Sequence, residues 1–329
     1  MALGLAGAVI ARSVMRRRRK IDLRDRVAVV TGGSRGLGLV LARELVRKGA
    51  RVAICARDAA ELERARVELS CLGGTVLAAV CDVTERDDVM RFITEVRDEL
   101  GPIDVLINNA GIIQVGPLEL TTCDDFERAL RTHLWGPLYA MHAVLPDMRA
   151  RRDGRIVNIA SIGGKLAVPH LSSYSASKFA LYGLSAGSRV ELVKDNIYVT
   201  TVCPGLMRTG SPRHAHVKGQ QRAEYAWFEV VDSLPFTSMN AERAAQQIVR
   251  ACEYGDAEVT LSLQAKLAAK LHALAPNLTQ DLLALANRML PSAEGGSRVA
   301  VQGKHVEESL TPSALTGLSD AAARRNNEV

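Results

Sequence analysis

From Arg26 onward, short apolar runs alternate with longer segments in which apolar residues recur at helical spacing. The runs lack strict polar alternation, which indicates strands covered by helices on both faces. We predict strands at Val27–Thr31, Arg51–Ala56, Thr75–Cys81, Asp104–Asn108, Arg155–Ala160, Tyr198–Cys203 and Glu258–Leu263. We predict helices at Leu37–Lys48, Ala59–Leu72, Arg86–Leu100, Thr122–Arg149, Ser173–Val193 and Ala241–Cys252.

This order of elements predicts an α/β fold, with a doubly wound parallel sheet of about seven strands in a three-layer αβα arrangement. We assign this domain to residues 25–262. Residues 206–240 carry few periodic signals and interrupt the last αβ unit. Residues 263–291 are helical in pattern, and we expect them to form a C-terminal helical extension. Residues 292–329 are rich in Ser, Gly, Glu and Ala, and we expect a disordered tail.

The C-terminal extension carries an apolar stripe at helical spacing. Such a stripe is typical of a core or a dimer contact, and a membrane-facing or substrate-covering face is the alternative. Its members are Leu263, Leu267, Leu271, Leu274, Leu278, Leu282, Leu285 and Met289.

The net charge of +6 is located at one end of the chain. Residues 1–26 hold eight basic and two acidic side chains, so the remainder is neutral and gives no indication of nucleic-acid binding. The chain is 47% hydrophobic and 24% charged, which excludes collagen-like, disordered and disulfide-scaffold proteins. Six scattered cysteines without metal-ligand spacing predict no metal site and a reducing, cytoplasmic location.

Residues 1–24 form an apolar and basic leader. Its apolar part, Met1–Ala11, is shorter than the ~20 residues of a spanning helix, and the basic run follows it, unlike in a secretory signal. Four interpretations remain open: a flexible leader, a peripheral membrane anchor using Arg16–Lys20, an organelle-targeting segment, or a weak nucleic-acid contact.

A glycine-rich turn, Thr31-Gly32-Gly33-Ser34-Arg35-Gly36-Leu37-Gly38, joins the first strand to the first helix. Glycines let the backbone approach a pyrophosphate, and the helix N-terminus offers free N–H groups to the anion. The strand–turn–helix context favours a Rossmann-type dinucleotide site over a simple packing turn.

Further motifs follow in order: Asn108-Asn109-Ala110-Gly111, then Ser161, then Tyr174-Ser175-Ala176-Ser177-Lys178, then Pro204-Gly205. Together with the glycine turn, they resemble the short-chain dehydrogenase/reductase family across roughly Asp25 to Tyr254. The resemblance implies a dinucleotide site formed by Gly32, Ser34, Arg35, Gly36, Leu37, Gly38, Arg57, Asp82, Asn108, Ala110, Gly111, Tyr174, Lys178, Pro204 and Gly205.

Two basic residues favour NADP(H) over NAD(H) as the cofactor. Arg35 lies in the glycine turn and Arg57 ends the second strand, where an Arg suits the 2′-phosphate of NADP. Asp58 is the counter-evidence, because it could accept from the ribose of NAD or cap the next helix. Asp82 matches the family position at the adenine, and it could equally cap a helix.

Tyr174 and Lys178 stand four residues apart, so they project from one face of a helix. A nearby ammonium lowers the pKa of a phenol toward the range of a general acid or base. The resemblance implies that Tyr174 exchanges the proton, Ser161 positions the substrate oxygen, and Lys178 tunes Tyr174 and holds the nicotinamide ribose.

His133 departs from the family pattern, because it stands where the fourth catalytic residue is an Asn. In the family that Asn supports an ordered water in a proton relay to the Lys. An imidazole could also hold a water, although its donor and acceptor roles depend on tautomer and pH. We therefore expect an altered relay and a shifted pH optimum in an active enzyme.

The sequence thus predicts an oxidoreductase that interconverts a ketone and a secondary alcohol, with a non-catalytic nucleotide-binding scaffold as the alternative. Residues 206–240 match the family's substrate loop and lid, and they contain Tyr225, Trp227, Phe228 and Phe236. These aromatics favour a steroid-like, long-chain or 3-oxoacyl substrate, unless they only pack the lid onto the body. We also expect a homo-oligomer.

Overall fold

The structure is a computed structural model that describes residues 11–233, 238–307 and 317–328. Phe236 therefore lies outside the described residues. The strands of the described chain are β1 (Val27–Thr31), β2 (Arg51–Ala56), β3 (Val76–Val80), β4 (Ile103–Asn108), β5 (Gln114–Val115), β6 (Gly154–Ile159), β7 (Ile197–Cys203), β8 (Leu206–Arg208), β9 (His216–Gly219), β10 (Ser238–Asn240), β11 (Glu258–Thr260) and β12 (Ser297–Gln302).

A seven-stranded parallel sheet forms the centre, in the order β11-β7-β6-β4-β1-β2-β3. The strand order reverses at β1, which pairs with β2 on one side and β4 on the other. In open α/β sheets, ligands bind at such a switch point, beyond the carboxyl ends of the strands. The predicted Rossmann-type sheet is confirmed.

Helices cover both faces of this sheet. They are α1 (residues 11–18), α2 (Gly36–Arg47), α3 (Ala59–Cys71), α4 (Arg86–Leu100), α5 (Cys123–Leu130), α6 (Gly136–Arg151), α7 (Ser172–Leu192), α8 (Gln221–Ser233), α9 (Ala241–Glu253), α10 (Leu263–Leu274), α11 (Pro276–Asn287), α12 (Gly303–Glu307) and α13 (Gly317–Arg325). Helices α2, α3 and α9 pack on one face, and α4, α6 and α7 pack on the other.

Alternate residues of β1 face the two helical layers. Ala28 and Val30 join the core beneath α2 and α9, whereas Val27 and Val29 join the core beneath α4 and α6. All four side chains are fully buried, as the non-alternating apolar run requires of a strand covered on both faces.

The single helix predicted over Thr122–Arg149 is interrupted. The chain forms α5, then a π-helical turn at Arg131–Trp135, then α6. Such turns insert one extra residue into a helix and often occur at functional sites. His133 lies in this turn.

The lid segment, residues 206–240, is more regular than its sequence pattern predicts. It contains β8, β9, helix α8 and β10. Strand β9 lies between β5 and β12 in a small second sheet. Tyr225 and Phe228 of α8 are both buried. Phe228 packs the lid onto the body, where it clusters with Val115 and Leu171, whereas Tyr225 packs with Val306 of the C-terminal segment.

The prediction of a disordered tail over residues 292–329 is wrong for the described part of that range. Strand β12 pairs with β9, and Val306 of α12 packs against Tyr225 of the lid. Ala322 and Ala323 of α13 are 1% exposed. The segment has few apolar residues, but Val301 and Val306 pack with Val217 and Tyr225 of the lid, a long-range contact that composition does not reveal.

The described part of the leader lies against the body. Arg16 forms an ion pair with Asp256, with 2.6 Å between Nε and Oδ1, and it stacks over the Tyr254 ring. Leu23 is 1% exposed and belongs to the core, so the leader ends before residue 24. Among the described residues, no helix combines the length and apolarity needed to cross a bilayer.

The apolar stripe of the C-terminal extension faces outward. Its eight members on or after α10 and α11 are between 41% and 86% exposed. The stripe therefore does not form part of this chain's own core.

Candidate active site

A cleft of about 460 Å³ opens at the carboxyl ends of the sheet strands, at the switch point beside β1 and β4. It brings together the glycine turn and the predicted proton-transfer residues. Of the residues predicted from the sequence, its walls contain Gly32, Ser34, Arg35, Gly36, Leu37, Gly38, Arg57, Asp82, Ala110, Gly111, His133, Ser161, Tyr174, Lys178, Pro204 and Gly205.

Asn108 is the exception among the predicted residues. Its side chain is buried between β4 and β6, where Nδ2 donates to Oδ1 of Asn158 at 2.8 Å. Asn108 therefore joins two strands of the sheet, and it does not line the cleft.

Two glycines of the turn are packed so tightly against neighbouring backbone that no side chain would fit at their positions. A Cβ on Gly32, which has φ +64°, would lie 2.8 Å from Cα of Ala110. A Cβ on Gly38 would lie 2.0 Å from the carbonyl oxygen of Gly32. The turn lines the cleft at the N-terminus of α2, where a diphosphate site is expected in this type of fold.

Asn109, which was not among the predicted site residues, holds this turn. Its Nδ2 donates to the carbonyl oxygens of Thr31 and Gly32 at 3.0 and 3.1 Å. The Thr31 hydroxyl accepts from the backbone N–H groups of Asn109 and Ala110. Asn109 could have been found from the sequence, because it is the second Asn of the Asn-Asn-Ala-Gly motif.

The two arginines predicted near a 2′-phosphate both line the cleft. Arg57 is exposed, with Nη1 3.9 Å from Asp82 Oδ2. Arg35 donates to both carboxylate oxygens of Glu61, at 2.7 and 2.9 Å. Asp58 caps α3 by accepting from the backbone N–H of Glu61, which is the capping role that the sequence left open.

Asp82 does not cap the next helix, because the N-cap residue of α4 is Glu85. The Asp82 carboxylate accepts from the backbone N–H and the hydroxyl of Thr84, at 2.9 and 2.8 Å. Asp82 still lines the cleft next to Arg57, so the turn contact and a ligand-facing position are compatible.

Tyr174 and Ser161 meet beside Gly163. A Cβ built on Gly163 would lie 3.3 Å from the Tyr174 ring and 3.4 Å from the Ser161 hydroxyl oxygen. Ser161 caps the short helix Ile162–Gly164, where its hydroxyl accepts from the N–H of Gly163 at 3.0 Å. Burial raises the pKa of Tyr174, and a hydrogen bond with Ser161 opposes that rise.

Lys178 lies one helical turn after Tyr174 on α7. Its Nζ donates to the carbonyl oxygen of Ile159 at 2.8 Å and lies 5.6 Å from the centre of the Tyr174 ring. The side chain is buried, and burial lowers the pKa of its ammonium to about 7. Lys178 is thus positioned to influence the Tyr174 phenol electrostatically.

His133 is fully buried against the same pair. Its Nε2 accepts from the N–H of Ile112 at 3.1 Å, so Nδ1 carries the proton and donates to the Ser177 hydroxyl at 2.7 Å. Ser177 in turn donates to the carbonyl oxygen of Tyr174 at 2.8 Å. Both ring nitrogens already have protein partners. Neither is therefore free to hold the relay water that the sequence analysis considered for this imidazole.

The surroundings of His133 favour the neutral form of its ring. Burial, and then the positive charge of Lys178, lower the pKa of His133 well below its ordinary value. The ring is therefore neutral at neutral pH. Its hydrogen bonds join the loop after β4 to α7.

A further buried group attaches the lid to the start of α7. Nδ1 of His170 lies 2.8 Å from Oε1 of Glu224, and the indole N–H of Trp227 donates to Oε2 of Glu224 at 2.7 Å. Trp227 packs with Tyr174 in one apolar cluster. This contact was not predictable from the sequence, because His170 and Glu224 lie 54 residues apart in the chain.

Comparisons with known proteins agree with this geometry. A family model described as short chain dehydrogenase matches residues 26–218. The uncharacterized oxidoreductase YxnA of Bacillus subtilis is 31% identical over 303 residues, which cover 91% of this chain and 79% of the relative.

Two solved structures are similar over most of the chain. A short-chain dehydrogenase from Streptomyces avermitilis has a TM-score of 0.69 and 29% identity, covering 80% of this chain and 98% of its own. An actinorhodin polyketide ketoreductase with NADPH has a TM-score of 0.64 and 30% identity, covering 72% and 95%. The chain thus belongs to the short-chain dehydrogenase/reductase family and is an NAD(P)-dependent oxidoreductase.

Proposed function

We propose that this enzyme uses NADP(H) to interconvert a ketone and a secondary alcohol, with Tyr174 as the proton donor and acceptor. The observation that carries the proposal is the meeting of Tyr174, Ser161 and Lys178 in the cleft that also contains the glycine turn. The dinucleotide, when bound, supplies the hydride for reduction and accepts it for oxidation.

The side chains of Tyr174 and Ser161 act on the substrate oxygen. The Tyr174 hydroxyl gives its proton to the substrate oxygen as negative charge develops there, and takes it back in the oxidation. The Ser161 hydroxyl donates a hydrogen bond to the same oxygen. Because burial raises the pKa of Tyr174, the phenol is protonated at neutral pH, which favours ketone reduction there and alcohol oxidation at higher pH.

The preference for NADP(H) is supported by charge at the adenosine end of the cleft. Arg35, Arg57 and Asp58 all line this end, but the Asp58 carboxylate is engaged as the cap of α3. A guanidinium pair can bind a 2′-phosphate through charge-assisted hydrogen bonds. A structural relative, the polyketide ketoreductase, carries NADPH.

Kinetics with both cofactors test this preference. We expect a higher kcat/KM with NADPH than with NADH, and we expect Arg57→Ala to lower only the NADPH value. Arg91→Ala, which removes another exposed arginine outside the cleft, is the matched control. Equal or better use of NADH by the wild type would contradict the preference.

An apolar substrate is supported by the surroundings of Tyr174. Ile113, Val168 and Trp227 pack in one cluster with its ring. We propose a steroid-like ketone, a long-chain ketone or a 3-oxoacyl group as the substrate class. A panel of these ketones and of small polar ketones, with NADPH consumption as the readout, tests it, and turnover confined to polar ketones would contradict it.

We propose that the chain forms a homo-oligomer, supported by the exposed apolar stripe on α10 and α11.

We also propose peripheral membrane contact through the leader, supported by its exposed Arg17 and Arg18. Co-sedimentation with phosphatidylserine vesicles tests this membrane contact. We expect Arg17→Glu with Arg18→Glu to abolish binding, and absence of binding by the wild type would contradict it.

A further inference from the structure

The last described residues of the chain lie on the glycine turn. After α13, the carbonyl oxygen of Asn326 accepts from the N–H of Gly36 at 2.9 Å. Nδ2 of Asn327 donates to the carbonyl oxygens of Ser34 and Glu61, at 2.8 and 3.0 Å. The segment Asn326–Glu328 therefore covers the N-terminus of α2.

Glu328 places a carboxylate in this position. Its Oε2 lies 2.9 Å from Nε2 of His214 and 3.3 Å from Nε of Arg35, and its side chain is 4% exposed. A Cβ on Gly36 would lie 2.5 Å from Oε1 of Glu328. An anion held by a guanidinium and an imidazole beside a helix N-terminus occupies the kind of site that binds phosphate.

Two arginines outside the cleft also hold the segment in place through hydrogen bonds. Arg43 of α2 donates to the carbonyl oxygen of Arg325 at 2.6 Å and to Oδ1 of Asn326 at 3.0 Å. Nε of Arg64 donates to Oδ1 of Asn327 at 2.7 Å. Asn326 is fully buried, so its position is fixed by many contacts and does not depend on Glu328 alone.

We propose that Asn326–Glu328 is an intramolecular competitor of the cofactor. The proposal rests on the dinucleotide function of this cleft. The Glu328 carboxylate takes the Arg35 contact and borders Gly36, so a diphosphate approaching the same turn meets a negative charge at contact distance. Cofactor binding therefore requires the segment to leave, and the measured affinity is reduced by the fraction of molecules that are closed.

The affinity of NADPH for three proteins tests this competition. We expect Glu328→Gln, and a chain ending at Arg325, to bind NADPH about fivefold or more tightly than the wild type, which is the range of a coupling between two sites. Glu294→Gln removes the same charge from an exposed position, and we expect it to bind as the wild type does.

Two further measurements make the test specific. A synthetic peptide with the sequence of residues 317–329 should weaken NADPH binding to the shortened chain. NADPH should increase backbone hydrogen exchange in residues 317–328 of the full chain. Equal NADPH affinity of the full and shortened chains, or weaker binding by the shortened chain, would overturn the competitor while leaving the proposed function intact. Failure of both chains to bind either dinucleotide would overturn both.

Discussion

His133 shows how one side chain can occupy a family position with different chemistry. Its imidazole links the N–H of Ile112 to Ser177, and through Ser177 to the backbone of Tyr174. From the sequence alone, the position was recognisable but the partners were not, because they lie on two elements distant in the chain. The ring thus joins the loop after β4 to the helix that carries Tyr174.

The neutral state of His133 predicts a pH dependence of stability. Its pKa is lowered in the folded chain, so only the unfolded chain takes up this proton as the pH falls below ~6.5. Relative to His133→Asn, we expect the wild type to lose about 1.4 kcal/mol of unfolding free energy per pH unit below that value. Urea denaturation between pH 5 and 8 measures this, and parallel profiles for the two proteins would contradict it.

At the scale of elements, the central sheet was predictable because its strands are apolar runs covered on both faces. The predicted bounds of Val27–Thr31 and Arg51–Ala56 are those of β1 and β2. The sheet of β5, β9 and β12 was missed, since two of its three strands are four residues or shorter and all pair over long distances in the chain. The π-helical turn was missed because it continues a helical pattern.

Two glycines in helices predict opposite outcomes for the same substitution. Gly38→Ala places a Cβ 2.0 Å from the carbonyl oxygen of Gly32, so we expect loss of stability and of dinucleotide binding. Gly187 lies exposed within α7 with open space around its Cβ position.

Gly187→Ala is therefore the matched control, and we expect it to raise the unfolding free energy by about 0.5–1 kcal/mol without changing NADPH affinity. Thermal unfolding and NADPH titration of both variants check this pair. Unimpaired binding by Gly38→Ala would contradict the assignment of the glycine turn.

At the scale of the whole molecule, both ends of the described part of the chain contact the body. Arg16 of the leader pairs with Asp256, and the C-terminal segment reaches the glycine turn. The composition of the tail predicts disorder because it records how few apolar residues there are, and not where they pack. The leader and the tail were the least predictable parts for this reason.

The exposed stripe on α10 and α11 predicts an assembly. A patch of exposed leucines of this kind marks an interaction surface. We expect Leu271→Glu with Leu278→Glu to reduce the oligomer mass measured by light scattering, because a buried carboxylate opposes association. Val67→Glu changes an apolar residue of α3 that is 47% exposed, and we expect it to leave the mass unchanged. A monomeric wild type would contradict the proposed homo-oligomer.

Tyr174 provides the most direct test of the central claim, which is proton transfer to a ketone by this phenol. The measurement is NADPH oxidation with a reactive apolar ketone, alongside NADPH binding, for the wild type and Tyr174→Phe. We predict that the variant binds NADPH as tightly as the wild type and loses about 10²-fold or more in kcat. A variant that keeps most of the wild-type kcat would contradict the account.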